Sequence, residues 1–193
     1  MMQLRGEAGI DDSTLYYHAL GVDYWENDYS TLKSQLINLK NRLAPYGVTE
    51  LYIYAPDEEQ IDSETRAQIQ AAHEVGVKVF VAQGHAKAIS AADVLDLAIV
   101  AYNLDPSIAE LYHSYNHKVM SYNNPQVGVE EPATYRHNFG LHLWQNDYDG
   151  AMNYNYQGAM GFIWNDFDHA VYRDHVFAYP TIDGVIDTIQ WEG

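Results

Sequence analysis

The sequence predicts an α/β fold on a parallel sheet, and three observations carry that expectation. Short apolar runs alternate with stretches of helical period. Caps stand before those stretches, with glycine or proline after them. The apolar runs also begin apolar and end polar. In order, Asp28 or Ser30 caps a helix with the stripe Leu32, Leu36, Leu39 and Leu43, stopped near Pro45 and Gly47. A strand follows at 50–54, then a helix from Ser63 to Val75 closed by Gly76. The second strand is 78–83 and leads to a helix from about Ser90. The third strand is 97–102, after which Asp105 and Pro106 supply a cap and first-turn residue for a helix through Tyr115. The fourth strand is 118–122, Pro132 opens a helix to about Trp144, and the fifth strand is 151–156. Five strands alternating with helices read as parallel β/α units in one domain. No linker and no internal sequence repeat is visible.

Composition narrows the function. The 193 residues can bury a core, and 47% hydrophobic with 19% charged content describes an ordered globular chain. Net charge is −17, from 27 acidic against 10 basic residues, which argues against nucleic acid or an anionic membrane as partner. Without cysteine, disulfide and thiolate chemistry are excluded, but no compartment is identified. The opening MMQLRGEAGI has no apolar signal segment, and no run approaches the roughly 18 residues of a membrane span. The 17 Tyr and 4 Trp present flat faces with polar edges, suited to sugars as well as to cores.

The strand ends focus the search. The stretch LYIYAPDEEQ runs from a strand into Asp57, Glu58 and Glu59, and the other strands exit at Gln83 and His85, Tyr102 and Asn103, Tyr122 to Asn124, and Tyr154 to Tyr156. Parallel β/α folds bind ligands at the carboxyl ends of their strands. Polar loops alone account for one or two such ends; five point to a shared site. No G-x-S-x-G, P-loop or G-x-G-x-x-G is present.

The stretches YIYAPDEEQ, VMSYNNPQVGVEEPATYRHNFGLHLW, DGAMNYNYQ and YPTIDGVIDTIQWEG resemble the catalytic domain of glycoside hydrolase family 123, and related barrels, from about Thr49 onward. The resemblance implies a partial (β/α)8 TIM barrel whose five strands are strands four to eight. It implies a retaining β-N-acetylgalactosaminidase-type reaction in which the substrate's acetamido group is the nucleophile, with carbohydrate as partner and no cofactor. Asp57 would orient the acetamido N–H and support its developing charge. Glu58, one methylene longer, would protonate the leaving oxygen and then activate water. Glu59 reads as a solvated neighbour.

Tyr54, Tyr122, Asn123 and Tyr154 are candidate substrate contacts at strand ends. His85 points into the mouth or caps a loop; Trp144 is a sugar-stacking floor or helix core; Arg136 is a ligand contact or a surface ion pair. His113 and His117 have metal-ligand spacing without a third ligand, and WNDFDHAVYRDH lacks the EF-hand pattern, so no metal is assigned. Two alternatives stay open: a non-catalytic carbohydrate-binding protein on the same scaffold, and a flavodoxin-like small-ligand domain. In the latter, PDEEQ would repel phosphate. A full barrel takes about 250 residues, so the chain reads as a fragment lacking the amino-terminal half of the barrel. On that expectation the segments near Leu51 and Ala151 lie on exposed sheet edges, and the chain alone self-associates and has little activity.

Overall fold

The computed structural model describes residues 2–11, 13–18, 28–122, 132–153, 156–158, 161–165, 167–170 and 175–192. Helix α1 (Met2–Glu7) precedes β1 (Thr14–Tyr17), α2 (Tyr29–Leu43), β2 (Glu50–Tyr54), α3 (Ser63–Glu74), β3 (Lys78–Gln83), α4 (His85–Ala91) and β4 (Leu97–Val100). Then come α5 (Pro106–Ser114), β5 (Lys118–Ser121), α6 (Pro132–Arg136), a π-helical turn His137–Leu141, α7 (His142–Gln145) and β6 (Gly150–Ala151). The chain closes with β7 (Gln157–Gly158), β8 (His175–Val176), β9 (Ala178–Pro180), β10 (Val185–Asp187) and α8 (Ile189–Glu192). Strands β1 to β6 are hydrogen-bonded in chain order. The α/β class with a parallel sheet and flanking helices therefore holds.

Two compact units divide the chain within β4: Met1–Ala98 with Tyr115–His117, and Ile99–Ser114 with Lys118–Gly193. In the first, Asp28 caps α2 by accepting from the Ser30 and Thr31 amides, and the four predicted leucines are buried. Asp62 caps α3 through the Thr65 amide at 2.9 Å. Lys40 of α2 donates to the Val75 carbonyl at 2.7 Å, tying α2 to the end of α3. On the sheet, Tyr16 pairs with Tyr52 and Tyr54 with Phe80. Their rings pack together, with centroids 4.8 Å apart for Tyr16–Tyr52 and 5.0 Å for Tyr54–Phe80. Tyr52 is thus a core residue between half-buried Tyr16 and Tyr54, and burial pushes its phenol up to about 12.

In the second unit, α5 buries Ile108, Ala109 and Tyr112. Strands β7–β8 and β9–β10 form two small antiparallel pairs. Thr188 donates its hydroxyl to the Phe177 carbonyl at 2.9 Å.

Several boundaries differ from expectation. Strand β1 was not anticipated, because TLYY is short and aromatic and carries no aliphatic run. It pairs with β2 from Thr14↔Glu50 to Tyr17↔Ile53, so Leu51 lies inside the sheet and not on its edge. Helix α4 begins at His85, not Ser90, on Gly84, which offers no side-chain cap. The third strand stops at Val100, before Tyr102 turns left-handed at φ 70°. The Pro132 helix is interrupted by the π-turn, a feature with no residue-pattern signature. The fifth expected strand, 151–156, is observed as Gly150–Ala151, with the Met152 amide donating to the Ser121 carbonyl at 3.0 Å; residues 154 and 155 lie outside those described.

An internal repeat emerges that the bare sequence hides. HEVGVKV (73–79) and HSYNHKV (113–119) place His, Lys and Val at the same spacing. Gly76 and Asn116 both adopt positive φ, 68° and 59°, at the matching position where the helix closes. Asp96, directly before β4, accepts from the Val79 amide at 2.8 Å and meets His73 Nε2 at 2.7 Å. Asp149, directly before β6, does the same with Val119 at 2.8 Å and His113 Nε2 at 3.0 Å.

Candidate functional site

Strand β3 outruns β2 at its carboxyl end: the register closes at Tyr54↔Phe80, while β3 continues to Gln83. The chain leaving β2 follows that overhang. The Ala55 amide donates to the Phe80 carbonyl at 2.9 Å and the Glu58 amide to the Ala82 carbonyl at 3.3 Å. The acidic stretch 57–59 is therefore pinned along a neighbouring strand, and is more than a solvated turn.

Asp57 and Glu58 are both exposed on this loop. Tyr54, the last residue of β2, donates its hydroxyl to Asp57 Oδ1 at 2.6 Å and accepts the Ala82 amide at 3.2 Å. That fixes where one carboxylate oxygen stands relative to the sheet. Tyr54 thus orients Asp57, a role the substrate-contact expectation did not contain. Glu58 has φ 52°, a left-handed conformation that costs free energy for a residue with a Cβ.

Three residues around the loop add to the sequence reading, which names Gln83 at a strand exit without a role and names neither His18 nor Lys87. His18 follows β1, and its ring lies 4.8 Å from that of Tyr54, tilted by 50°. Its signal was a histidine at a strand exit, invisible while β1 itself was unrecognised. Gln83 is fully buried and donates Nε2 to the Glu59 carbonyl at 3.0 Å. Its Oε1 is buried with no hydrogen-bond partner among the described residues. Lys87 donates Nζ to the Glu58 carbonyl and brings a cation to the acidic loop. His85 opens α4 directly beyond Gly84 and is half-buried.

In the second unit, Tyr122 follows β5, with its amide donating to the Val100 carbonyl at 3.2 Å. Arg136 ends α6 and is exposed. Trp144 is 79% exposed near the end of α7, on the approach to β6 and not its exit. Asn123 and Tyr154 lie outside the described residues. Beside the latter, Asn153 buries both amide atoms of its side chain without partners among the described residues. Only its place just after β6 could have marked it.

His117 Nδ1 lies 2.9 Å from the Ala92 carbonyl, while His113 sits between Asp147 at 3.3 Å and Asp149 at 3.0 Å. Among the described residues no group of three or more His, Asp or Glu is placed to hold a metal ion. No described helix is long and apolar enough to cross a membrane. A cavity of about 130 Å³ lined by Lys40, Asn41, Ala44, Val48, Thr49 and Leu51 lies by the amino end of β2, the opposite end of that strand from Asp57. In comparison with family models, curated proteins and solved structures, nothing matches this chain.

Proposed function

We propose that the chain carries a glycosidase-type carboxylate pair, Asp57 and Glu58, acting on β-linked N-acetylhexosamine by the substrate-assisted route. One observation supports the reading most directly: a tyrosine hydroxyl at 2.6 Å holds Asp57 at the carboxyl end of a strand in a parallel α/β sheet, with Glu58 next to it. Cleavage needs an acid at the leaving oxygen and support for positive charge at the anomeric carbon. A fixed Asp57 suits orientation of the acetamido N–H, while the longer Glu58 suits proton transfer. Within this reading β2 to β6 take positions four to eight of a (β/α)8 barrel, and β1 takes position three.

Glu58→Gln in the full chain is the test. Hydrolysis of N-acetylhexosaminides with poor leaving groups should fall by about 10²-fold or more, and activated aryl glycosides should suffer less, because they need less protonation. Asp57→Asn should slow both classes. Small, equal losses in the two variants would reject the assignment.

The exposure of both carboxylates favours a second reading, a carbohydrate-binding protein without catalysis. It predicts that calorimetry finds sugar binding in the unmodified chain while no hydrolysis accompanies it.

A further inference from the structure

We infer that Gln83 and Lys87 are positioning residues for the Asp57–Glu58 pair, holding the loop in its reactive shape from β3 and α4. The inference rests on the glycosidase reading above.

A left-handed Glu58 persists only where its surroundings enforce it. Four hydrogen bonds contribute to that enforcement. The Glu58 amide donates to Ala82, Gln83 Nε2 to the Glu59 carbonyl at 3.0 Å, and Lys87 Nζ to the Glu58 carbonyl. Just downstream, Gln60 Nε2 donates to the Ser90 hydroxyl at 3.0 Å. These four partners belong to β3 and α4, while β2 holds the loop through Tyr54 and Asp57. Helix α4 is itself held: Arg66 pairs with Asp93 at 2.8 Å and donates to the Ser90 carbonyl at 2.6 Å.

The chemistry of Gln83 separates positioning from plain packing. A methionine or leucine would fill a fully buried position at a strand end without leaving an acceptor unmet. The one hydrogen bond that the Gln83 side chain makes among the described residues goes to the backbone of the acidic loop. Lys87 acts on the same loop through the Glu58 carbonyl, a bond that fixes backbone. Misplacing a catalytic group by about 1 Å costs on the order of 10²-fold in rate, and the loss falls on kcat before KM.

The experiment uses the full chain with Gln83→Met, Lys87→Met and Lys87→Arg. Amide hydrogen exchange at Glu58 should rise about tenfold in both methionine variants, with Val79 and Val81 of β3 unchanged. Lys87→Arg should restore it, since guanidinium can donate to the same carbonyl. With an aryl β-N-acetylhexosaminide, kcat should fall about tenfold in the methionine variants while KM stays within about twofold. Unchanged exchange at Glu58 would overturn the inference, as would faster exchange throughout β3 or unaltered kcat in variants of an active chain. Faster exchange confined to the loop, in a chain whose unmodified form neither hydrolyses nor binds an N-acetylhexosaminide, would uphold the clamp and reject the glycosidase reading instead.

Discussion

The two ends of β3 are built on opposite principles. At its entry, the Val79 amide and His73 converge on Asp96, whose side chain is only 13% exposed, and Lys78 pairs with Glu50. Lys78 also sits 5.3 Å from the centre of the Tyr52 ring. Each group named there has a partner. At its exit, Gln83 keeps a buried oxygen with no partner among the described residues, Glu58 is left-handed, and Asp57 and Glu58 face solvent. The entry satisfies its polar groups; the exit carries local cost and leaves two carboxylates in solvent. Under the glycosidase reading that division matches the one between the stabilising and the reactive face of parallel β/α folds.

Asp96→Ala should have the largest effect on stability. It removes two hydrogen bonds and leaves the Val79 amide and His73 unsatisfied in a half-dry setting, a loss of about 3 kcal/mol in urea unfolding. Activity per folded molecule should not change. A loss of activity at constant fold would break the division between the ends.

Asp149→Ala tests the copy of the device at β5. Its side chain is 31% exposed and that of His113 33%, against 13% and 29% for Asp96 and His73. Water can replace more of what is removed, so the expected loss is about 1–2 kcal/mol. Equal losses in the two variants would show that exposure is not what distinguishes the copies.

How much of this was legible in the sequence follows from the kind of interaction involved. The leucines of α2 and the caps Asp28 and Asp62 were readable, because burial stripes and caps recur at fixed spacings. Asp57 and Glu58 were readable as a carboxylate pair after a strand. Strand β1 was not, since four residues with two tyrosines look like a loop until Tyr16 meets Tyr52. Gln83 was legible as a polar strand end, but its role and that of Lys87 were not, because both bond to backbone carbonyls and any residue supplies a carbonyl. The His–Asp bridges escaped because the aspartate lies 23 residues from its histidine in one copy and 36 in the other.

Tyr54→Phe probes the exit end with a smaller change. It removes one hydroxyl that is donor to Asp57 and acceptor from Ala82, at a cost of about 1 kcal/mol to stability. The same change frees the Asp57 carboxylate, so under the glycosidase reading kcat should drop about tenfold. If stability fell by as much as in Asp96→Ala, the exit would be a structural end like the entry.

The smallest effect concerns carboxylates that stand in loops leading from strand exits yet belong to the scaffold. Asp28 and Asp62 begin the helices that follow β1 and β2. Asp28 receives hydrogen bonds from the Ser30 and Thr31 side chains and then from their amides, and these lower it to about 2. Asp62 is lowered for the same reason, first by the Thr65 amide. A carboxyl whose folded value lies below its unfolded value of about 4 stabilises the fold above that pH. The contribution shrinks as pH falls and is gone once pH passes below about 2. Asparagine at position 28 accepts the same amide bonds but does not ionise. The melting temperature of Asp28→Asn should therefore sit below that of the unmodified chain at pH 6 and converge on it towards pH 2. Because Asp28 is fully exposed, salt and solvent hold the difference to a small shift. A gap that stayed constant from pH 6 to pH 2 would mean that Asp28 caps by shape alone. Charge at the exits would then belong to Asp57 and Glu58 and not to the caps beside them.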